Sequence, residues 1–510
     1  MSFGIYTLEL YLSGAWVDVL SGGDVRDSAP IVSDYGIQGS TPNDRIASTG
    51  TLDFSLDNSV SNSAQTLGYY SPVGGSKRSG FTFNVPVRFT LSDGTNTRVK
   101  FYGKLADIVP VPGVESTWLV PCKAFDWMDD AATIDLPDLP VQLGERGDAI
   151  ISTILDALAS GDQPRARDIE TSLETFAIAL DGGASNSSRP KVRDILNLIC
   201  MSDAGYFYQM GDGTVRYENR HHRSANSTIE LALTADMIAE GGLVVPGSRD
   251  DIFSVVQIFV KPTEVDAVAS TVLFALQTTM TLVPAGQSVN TIFGPYRDPD
   301  NRELIGGTES VDPVATTDYT MNAASDGGGT DLTANFTVTA SRTGLGVRFA
   351  VTNNGTTDGY ITKLQVRGKG IYRYEAMVEV AIGSGYGSRP LQIVMPYQNN
   401  VNVASDWASF LGYVLSSPFA QVRSVTFNAS KSDTLMAAAI LREPGDRVSI
   451  TEGVLGLVAS EATINRVRLE CQAGGIVWCT WGLEPASSQR YWLWGIDGSS
   501  NWGVSTRYGW

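Results

Sequence analysis

Only two histidines occur in the 510-residue sequence, His221 and His222, and they are adjacent. Adjacent residues on an extended segment point to opposite faces, so the two rings cannot readily share one metal ion or activate one nucleophile. Ser-His-Asp, Cys-His and HExxH chemistry each need a placed histidine. The sequence therefore argues against these three mechanisms.

A glycosidase needs only two carboxylates, and 55 acidic residues leave that mechanism open. The candidates are Glu218, Asp126 and the adjacent Asp129 and Asp130, which lie beside aromatic residues. Their spacing singles out neither an acid nor a nucleophile, and solvated residues at turns or strand ends give the same pattern. We therefore predict a protein that is not an enzyme and has no catalytic residues, with a polysaccharide hydrolase as an alternative.

Two glycine-rich loops could bind small ligands. Residues 383–387 are similar to a phosphate-binding loop, but Arg389 and Pro390 follow where a helix would be required. Asp326 and Asp331 flank a second loop, at a spacing that fits no standard calcium-binding loop. Ordinary turns explain both segments, so we predict no cofactor and no metal site.

The four cysteines show neither CxxC spacing nor a dense disulfide framework; they are Cys122, Cys200, Cys471 and Cys479. If residues 473–475 form a hairpin turn, Cys471 and Cys479 fall in different cross-strand pairs, which argues against a disulfide between them. We predict four reduced, buried thiols.

The formal net charge is −18, and no block of Lys or Arg stands out. Tight nucleic-acid binding derives largely from phosphate neutralisation, so specific DNA or RNA binding is disfavoured. No basic-then-apolar leader opens the sequence, and no apolar run has the length of a membrane span. We expect a protein that folds in a cytoplasm.

Composition and patterning predict a β-dominated α+β protein of several domains. The chain has 52 Gly and 22 Pro between short apolar runs, which favours strands joined by tight turns. Residues 360–367 alternate as in a strand, with Tyr360, Leu364 and Val366 on the packed face and Ile361 on the other. Helical periodicity marks residues 148–158, 190–199, 405–415 and 432–440. Asp148 and Ser432 are the predicted caps of the first and the last of these helices.

The same patterns divide the chain into five segments. We predict an antiparallel β domain at 1–128, a small α+β domain at 129–245, a β domain from 246–264 with 372–484, an inserted β-sandwich at 265–371 and an aromatic tail at 485–510. So many aromatic residues on a terminus need a surface to cover, in this chain or in a neighbour. The predicted interface residues are Trp492, Trp494, Trp502, Tyr508 and Trp510.

Short phrases distributed along nearly the whole sequence resemble the tail hub proteins of long-tailed siphophages, also called minor tail or tail-associated proteins. None of the phrases is catalytic, so the resemblance rests on their order and coverage. They lie at residues 8–12, 16–19, 51–58, 194–198, 206–218, 250–252, 364–371, 387–391, 395–397, 445–450, 492–495 and 505–507.

This resemblance implies a structural virion protein similar to the baseplate hub of contractile-tailed phages. Each chain would carry two tube-like β-barrel domains, 1–128 and 246–264 with 372–484. It implies a homotrimeric ring at the tail tip that adapts sixfold tube symmetry to threefold and closes or guides the channel for DNA ejection. The expected partners are the distal tail protein ring, the tape-measure protein and tail fibre or receptor-binding proteins.

Many members of that family carry a C-terminal fibre, peptidase or lysozyme extension, and this sequence stops at Trp510. This difference from the family counts against a wall-degrading or receptor-binding activity. If enough of the negative charge lines the inner surface, passing DNA would be repelled rather than bound, so we expect an acidic or neutral channel. An adhesin built of carbohydrate-binding β modules is the other alternative, which the β-rich composition and the tryptophans also fit.

Overall fold

The structure is a computed structural model that describes residues 3–26, 29–39, 41–113, 117–137, 139–180, 190–226, 228–245, 253–276, 281–296, 304–342, 346–381, 389–415 and 422–486. Strands account for 47% of the chain and helices for 15%, distributed over several sheets. The predicted β-dominated, multi-domain α+β class is confirmed.

The strands and helices of the first half follow in chain order. They are β1 (Ile5–Leu12), β2 (Ala15–Asp18), β3 (Ile31–Gly36), β4 (Thr51–Asp57), β5 (Pro86–Ser92), β6 (Thr97–Ile108), β7 (Leu119–Phe125), α1 (Trp127–Thr133), β8 (Gln142–Arg146), α2 (Gly147–Ala157), β9 (Ala166–Ile169), β10 (Thr175–Ala179), α3 (Val192–Asp203), β11 (Tyr206–Gln209), β12 (Thr214–Glu218), α4 (His222–Ala225), β13 (Ile229–Thr234) and β14 (Leu243–Val244).

The second half contains two further helices and the remaining strands. They are β15 (Val255–Val260), β16 (Thr263–Val265), β17 (Thr271–Ala275), β18 (Leu282–Val283), β19 (Ser288–Pro295), β20 (Leu304–Val311), β21 (Tyr319–Asn322), β22 (Phe336–Arg342), β23 (Gly346–Asn353), β24 (Gly359–Arg373), β25 (Ala376–Ala381), β26 (Pro390–Met395), α5 (Val401–Val414), β27 (Ser424–Asn428), α6 (Asp433–Leu441), β28 (Arg447–Glu452), β29 (Leu457–Gln472) and β30 (Ile476–Pro485).

A 13-stranded sheet, called the long sheet below, joins the two ends of the described chain. Its order is β14-β27-β30-β29-β3-β4-β7-β6-β5-β1-β2, and β28 with β13 extends it along the first half of β29. The junction is the antiparallel pair β3 and β29, in register from Gly36 opposite Arg466 to Ile31 opposite Cys471. Strands β1 to β7 of the first predicted tube-like segment and β27 to β30 of the second are thus continuous in one sheet, and no closed barrel is found among the described strands.

Gly36 shows why the junction needs glycine. Its φ is +100°, and a Cβ there would lie 2.3 Å from the carbonyl oxygen of Asn465 in β29. Only a residue without a side chain can adopt this backbone and admit the neighbouring strand.

One hydrophobic core lies under the long sheet and draws on both ends of the chain. It contains Leu8 and Phe89 from the first strands and Phe427 and Trp481 from the last, all fully buried. The last two rings meet edge to face at 4.8 Å. Helix α6 covers this core with the residues that helical spacing predicted, and the predicted cap Ser432 accepts a hydrogen bond from the Leu435 amide at 3.2 Å.

Helices α1 to α3 and strands β8 to β12 form a smaller α+β unit with its own core. The predicted apolar stripes are confirmed, since Ile150 and Ile154 of α2 and Ile195 and Ile199 of α3 are buried together. Asp148, predicted as the cap of α2, instead lies in its first turn, and Arg146 holds the cap position without a side-chain bond.

Strand β24 organises the inserted β-sandwich. It pairs with β16, β17, β18, β20 and β21, while β19, β23 and β22 form the second sheet. One core lies between the two sheets, where Phe274 and Phe349 meet at 5.8 Å. The register shifts where Thr320 opposes Lys363 and Met321 opposes Ile361. This bulge turns Ile361 into the core, so its predicted assignment to the polar face is wrong.

Strands β25, β15 and β26 form a separate three-stranded sheet, called the small sheet below. Helix α5 packs on one of its faces, with Trp407 and Leu411 buried as its periodicity predicted. The sequence placed these strands in the second tube-like domain, yet they pair with one another and not with the long sheet. The exact domain limits stay a prediction.

Candidate functional site on the long sheet

The long sheet has one apolar face and one polar face. On β29, Val467, Leu469 and Cys471 are buried in the core, whereas the alternating residues Arg468 and Glu470 stay partly exposed. This is the period-two pattern of a sheet with one packed face. The polar face is defined here as the side of the long sheet that bears Glu9, Arg88, Lys123, Asp53, Asp34, Arg466, Arg468 and Glu470.

Charges on the polar face are matched across neighbouring strands. Glu9 and Arg88 are register partners, and Oε1 lies 2.8 Å from Nη2. Lys123 and Asp53 are also partners, with Nζ 3.2 Å from Oδ1. Opposite charges on adjacent strands attract each other, and within each pair one charge reduces the electric field of its partner. The face is polar without a continuous patch of either sign at these pairs.

Asp34 carries the charge pairing across the junction of β3 and β29. Its carboxylate accepts from the Arg466 guanidinium, with Nε 2.6 Å from Oδ1, and lies 3.5 Å from Nη1 of Arg468. A fork of two parallel bonds fixes orientation as well as charge. The junction between the two chain segments is therefore held by backbone pairing and by side chains.

An open groove of about 400 Å³ lies on the polar face near β27, β29 and β30. It presents one aromatic ring among hydrogen-bonding and charged groups. The lining residues are Thr426, Arg468, Glu470, Gln472, Trp478 and Thr480. This combination can stack on and hydrogen-bond a flat polar ligand such as a sugar ring.

Glu218, a candidate carboxylate from the sequence, lies in a buried network instead of a cleft. It is fully buried, accepts from Tyr208 Oη at 2.6 Å and from Arg223 Nε at 2.7 Å. Burial raises the pKa of Glu218, but the charges of Arg223, His222 and Arg216 and the hydrogen bond from Tyr208 together outweigh burial and hold the pKa below its usual value. This carboxylate is charged and enclosed, which suits a structural role.

Arg223 extends that network to the long sheet. Its Nη1 lies 3.1 Å from Glu484 of β30, and its guanidinium carbon lies 3.5 Å from the centre of the Tyr206 ring. Tyr206 in turn donates to Glu484 Oε1 at 2.9 Å. The network fixes the small α+β unit on the sheet, and no spacing in the sequence pointed to this link, because Glu484 lies 261 positions from Arg223.

Asp126, Asp129 and Asp130 are located at the start of α1. The Asp126 side chain caps the helix by accepting from the Met128 amide at 3.1 Å, and burial raises its pKa to about 7. Asp129 and Asp130 lie in the first turn, where negative charge favours the helix, and Asp130 pairs with Lys104 at 2.7 Å. These are the contacts of a helix N-terminus.

His221 and His222 do not lie on an extended segment, and that expectation is wrong. The Asn219 side chain accepts from both backbone amides, at 2.8 and 3.1 Å, and starts the short helix α4. Burial lowers the pKa of His222, but the contact of Nδ1 with Glu170 at 3.2 Å and the charges of Glu218 and Glu170 together raise that pKa above its usual value. Within the described residues, no group of three or more His, Cys, Asp or Glu side chains could hold a metal ion.

The other sequence candidates have simpler outcomes. All four cysteines are free and buried, and burial raises the pKa of each thiol, as in Cys122. Asp326 and Asp331 each accept from a nearby backbone amide, at 2.9 and 2.8 Å, as turn residues do. Residues 383–387 and the five aromatic tail residues lie outside the described residues. No described helix is both long enough and apolar enough to span a bilayer.

Neither a family model nor a curated protein matches the sequence. Solved structures that align with it include the 43 kDa tail protein of prophage MuSo2 from Shewanella oneidensis, at 11% identity over 95% of this chain and 99% of that one, with a TM-score of 0.49. A tail protein from Neisseria meningitidis MC58 aligns at 9% identity over 94% and 96%, with a TM-score of 0.47.

A component of the E. coli type VI secretion system, described as similar in structure to T4 bacteriophage tail proteins, aligns at 8% identity. The alignment covers 90% of this chain and 73% of that one, with a TM-score of 0.35. All three TM-scores lie below 0.5, so the function must be argued from this chain's own residues.

Proposed function

We propose that this protein is the structural hub at the tip of a bacteriophage tail, and that three copies form a ring around the DNA channel. The observation that carries the proposal is the pairing of β3 with β29. This pairing makes one continuous wall from β1 to β7 of one segment that resembles a tube-like domain and β27 to β30 of the other. A chain built in this way contributes two similar units to a ring.

Three such chains would supply six units, enough to match a sixfold tail tube. Closed symmetry leaves no open interface from which fibres could grow. Among the described strands, β2 and β14 are the two ends of the main path of the long sheet. Unpaired backbone groups at sheet ends are available to a strand of a neighbouring copy.

The polar face supplies a suitable channel wall. Its acidic and basic side chains are paired, as in Glu9 with Arg88 and Asp53 with Lys123. DNA is held by runs of unpaired Lys and Arg that replace its counterions. A wall whose cations are already paired lets DNA pass without holding it, in agreement with the expected neutral or acidic channel.

In this role the protein acts in the virion, after assembly in the host cytoplasm, and catalyses no reaction. Its partners are the distal tail protein ring, the tape-measure protein and the tail fibre or receptor-binding proteins. The tube-like domains are 1–128 and 246–264 with 372–484, and the predicted limits of the α+β domain, the inserted sandwich and the tail belong to the same proposal.

Imaging of the intact particle tests this function. We expect a threefold ring of this protein at the tail tip, with the polar face toward the channel. A ring of another order, or a channel lined by unpaired Lys and Arg, would contradict the proposal. A monomer in dilute solution would not, because ring formation can depend on the neighbouring tail proteins.

The groove beside Trp478 favours one other function, binding of a carbohydrate by a β module. A glycan array with the purified protein and with Trp478→Ala discriminates between the two. A hub gives no strong sugar signal with either protein. A signal that Trp478→Ala removes would favour the adhesin.

A further inference from the structure

The small sheet has one covered face and one open face. On the covered face, Val256 and Ile393 are buried beneath α5. On the open face, Met377 is 51% exposed and Val394 is 47% exposed. A sheet that carries apolar residues on both faces is usually covered on both, because contiguous exposed apolar surface marks a contact site.

The open face has an ordered chemical pattern. Phe259 of β15 is the register partner of both Met377 and Val394, so the three form an apolar row across the sheet. The next row is polar, because Gln257 donates to Glu379 at 2.7 Å and accepts from Gln392 at 3.0 Å. Rows on one face of a strand repeat at about 6.8 Å. A ligand of this face therefore needs an apolar group and a cationic group at that separation.

We propose that the C-terminal segment, residues 487–510, covers the open face of the small sheet in the same chain. The segment carries the five aromatic residues of the predicted interface. Of its two arginines, Arg490 precedes Trp492 and Trp494 by two and four positions. In an extended segment these three side chains share one face at a repeat of about 6.8 Å, so Arg490 can meet Glu379 while Trp492 meets the apolar row.

The path from the last described strand to the small sheet is short. Glu484, near the end of β30, accepts a hydrogen bond from Tyr206. The guanidinium of Arg45 lies 4.5 Å from the centre of the Tyr206 ring and 5.3 Å from the centre of the Trp407 ring in α5. Asn43, in the same loop as Arg45, donates to the carbonyl of Gln392 in β26 at 3.2 Å. An extended segment of this length reaches roughly 80 Å.

Oxidation of Met377 by hydrogen peroxide, followed by mass spectrometry, tests the proposal. The probe compares the full chain with a chain that ends at Ala486. We expect Met377 to oxidise about tenfold faster without the segment, because methionine reacts according to its exposure. Met321, which is fully buried in the inserted sandwich, should stay protected in both and reports on folding.

Charge reversal provides a second test in the full chain. Glu379→Lys should speed the oxidation of Met377, and adding Arg490→Glu should restore protection. Val454→Asp, at a hairpin position that is 93% exposed, is the matched control and should leave the rate unchanged. If truncation also exposes Met321, the shortened chain is not correctly folded, and the charge-reversal experiment alone tests the proposal. Failure of Arg490→Glu to restore the protection of Met377 would then overturn it.

Two further outcomes would overturn the in-chain contact. Equal Met377 rates in the full and the shortened chain would mean that the segment does not cover this face. Protection that disappears on dilution would assign the cover to a second copy. Neither outcome bears on the order of the ring, so failure here leaves the proposed function standing.

Discussion

Asp34 and Arg466 lie 432 positions apart in sequence and are diagonal neighbours on β3 and β29, with Arg466 Nε 2.6 Å from Asp34 Oδ1. Their contact lies at the junction where the first and last strands of the described chain become one sheet. The free energy of this long-range contact offsets part of the entropy lost on bringing the two ends together.

Arg466→Ala should destabilise the protein by about 1 kcal/mol, because a two-pronged, partly buried contact is lost and Asp34 keeps only the longer contact to Arg468. The free energy of unfolding from chemical denaturation measures the loss. Arg468→Ala, which removes only the contact at 3.5 Å, is the matched control and should cost less than about 0.5 kcal/mol. Equal losses would show that the short contact has no special role.

Lys100→Met should lower the free energy of unfolding by about 2 to 4 kcal/mol, more than Arg466→Ala does. Lys100 is fully buried, and its Nζ donates to the carbonyls of Ile440 at 3.2 Å and Arg442 at 2.8 Å and to Glu443 at 2.7 Å. The substitution leaves the C-terminal end of α6 and one carboxylate without their buried donor. Lys123→Met, on the polar face, is the matched control, and its free energy of unfolding should fall by no more than about 0.5 kcal/mol.

Lys100 also shows a limit of prediction from the sequence. Strand alternation is local, so it predicted a strand at residues 360–367, which lie within β24. The register between β5 and β6 shifts near Phe89 and Thr90, and this bulge turns a lysine into the interior. A bulge leaves no mark in the periodicity, and the partners of Lys100 lie some 340 positions away.

The same contrast holds for the candidate site. Helical spacing and caps are local signals, and they predicted the buried side of α6 and its cap Ser432. The pairing of β3 with β29 and the link from Arg223 to Glu484 arise only after distant segments meet. A single sequence carries no local signal for such contacts, so the polar face and the buried network were accessible only from the structure.

Asp126→Asn should flatten the pH dependence of stability between about pH 4 and pH 7. Burial raises the Asp126 pKa to about 7 in the folded protein, while an unfolded Asp titrates near 3.9. Between these values the folded state holds a proton that the unfolded state lacks, so stability falls as pH rises, by up to about 1.4 kcal/mol per pH unit. Asn keeps the cap and has no proton to lose.

Denaturation at pH 4.5 and pH 7 measures this effect. Asp130→Asn, in the same first turn and partly exposed, is the control for a change of charge at the end of α1. If Asp126→Asn leaves the pH slope unchanged while the fold is intact, then Asp126 titrates at an ordinary pKa.

Deletion of residues 266–370, replaced by a short linker, should leave the rest of the chain folded. The segment begins and ends on neighbouring strands, since Val265 of β16 is the register partner of Ile371 of β24. The two ends are therefore already close, and closing them costs little chain entropy. Thermal unfolding and circular dichroism check the result, and a product that is recovered only as unfolded aggregate would contradict the predicted boundary.

Glu218→Gln should destabilise the protein by about 2 to 4 kcal/mol and produce no change in catalysis. The substitution removes the charge that Arg223 faces at 2.7 Å, in a site where both side chains are fully buried. Arg223 then keeps the Glu484 carboxylate at 3.1 Å, and a buried charge that loses one of its partners is costly. Glu170→Gln, which removes a more exposed carboxylate beside His222, is the matched control and should cost below about 1 kcal/mol.

Turnover of host peptidoglycan is measured on the same proteins. A hydrolytic carboxylate must reach the bond it cleaves, and Glu218 is enclosed by Tyr208 and Arg223. We expect no hydrolysis by the unchanged protein. Hydrolysis that Glu218→Gln abolishes, while the folded fraction stays constant, would overturn both the structural role of this network and the prediction that the protein is not an enzyme.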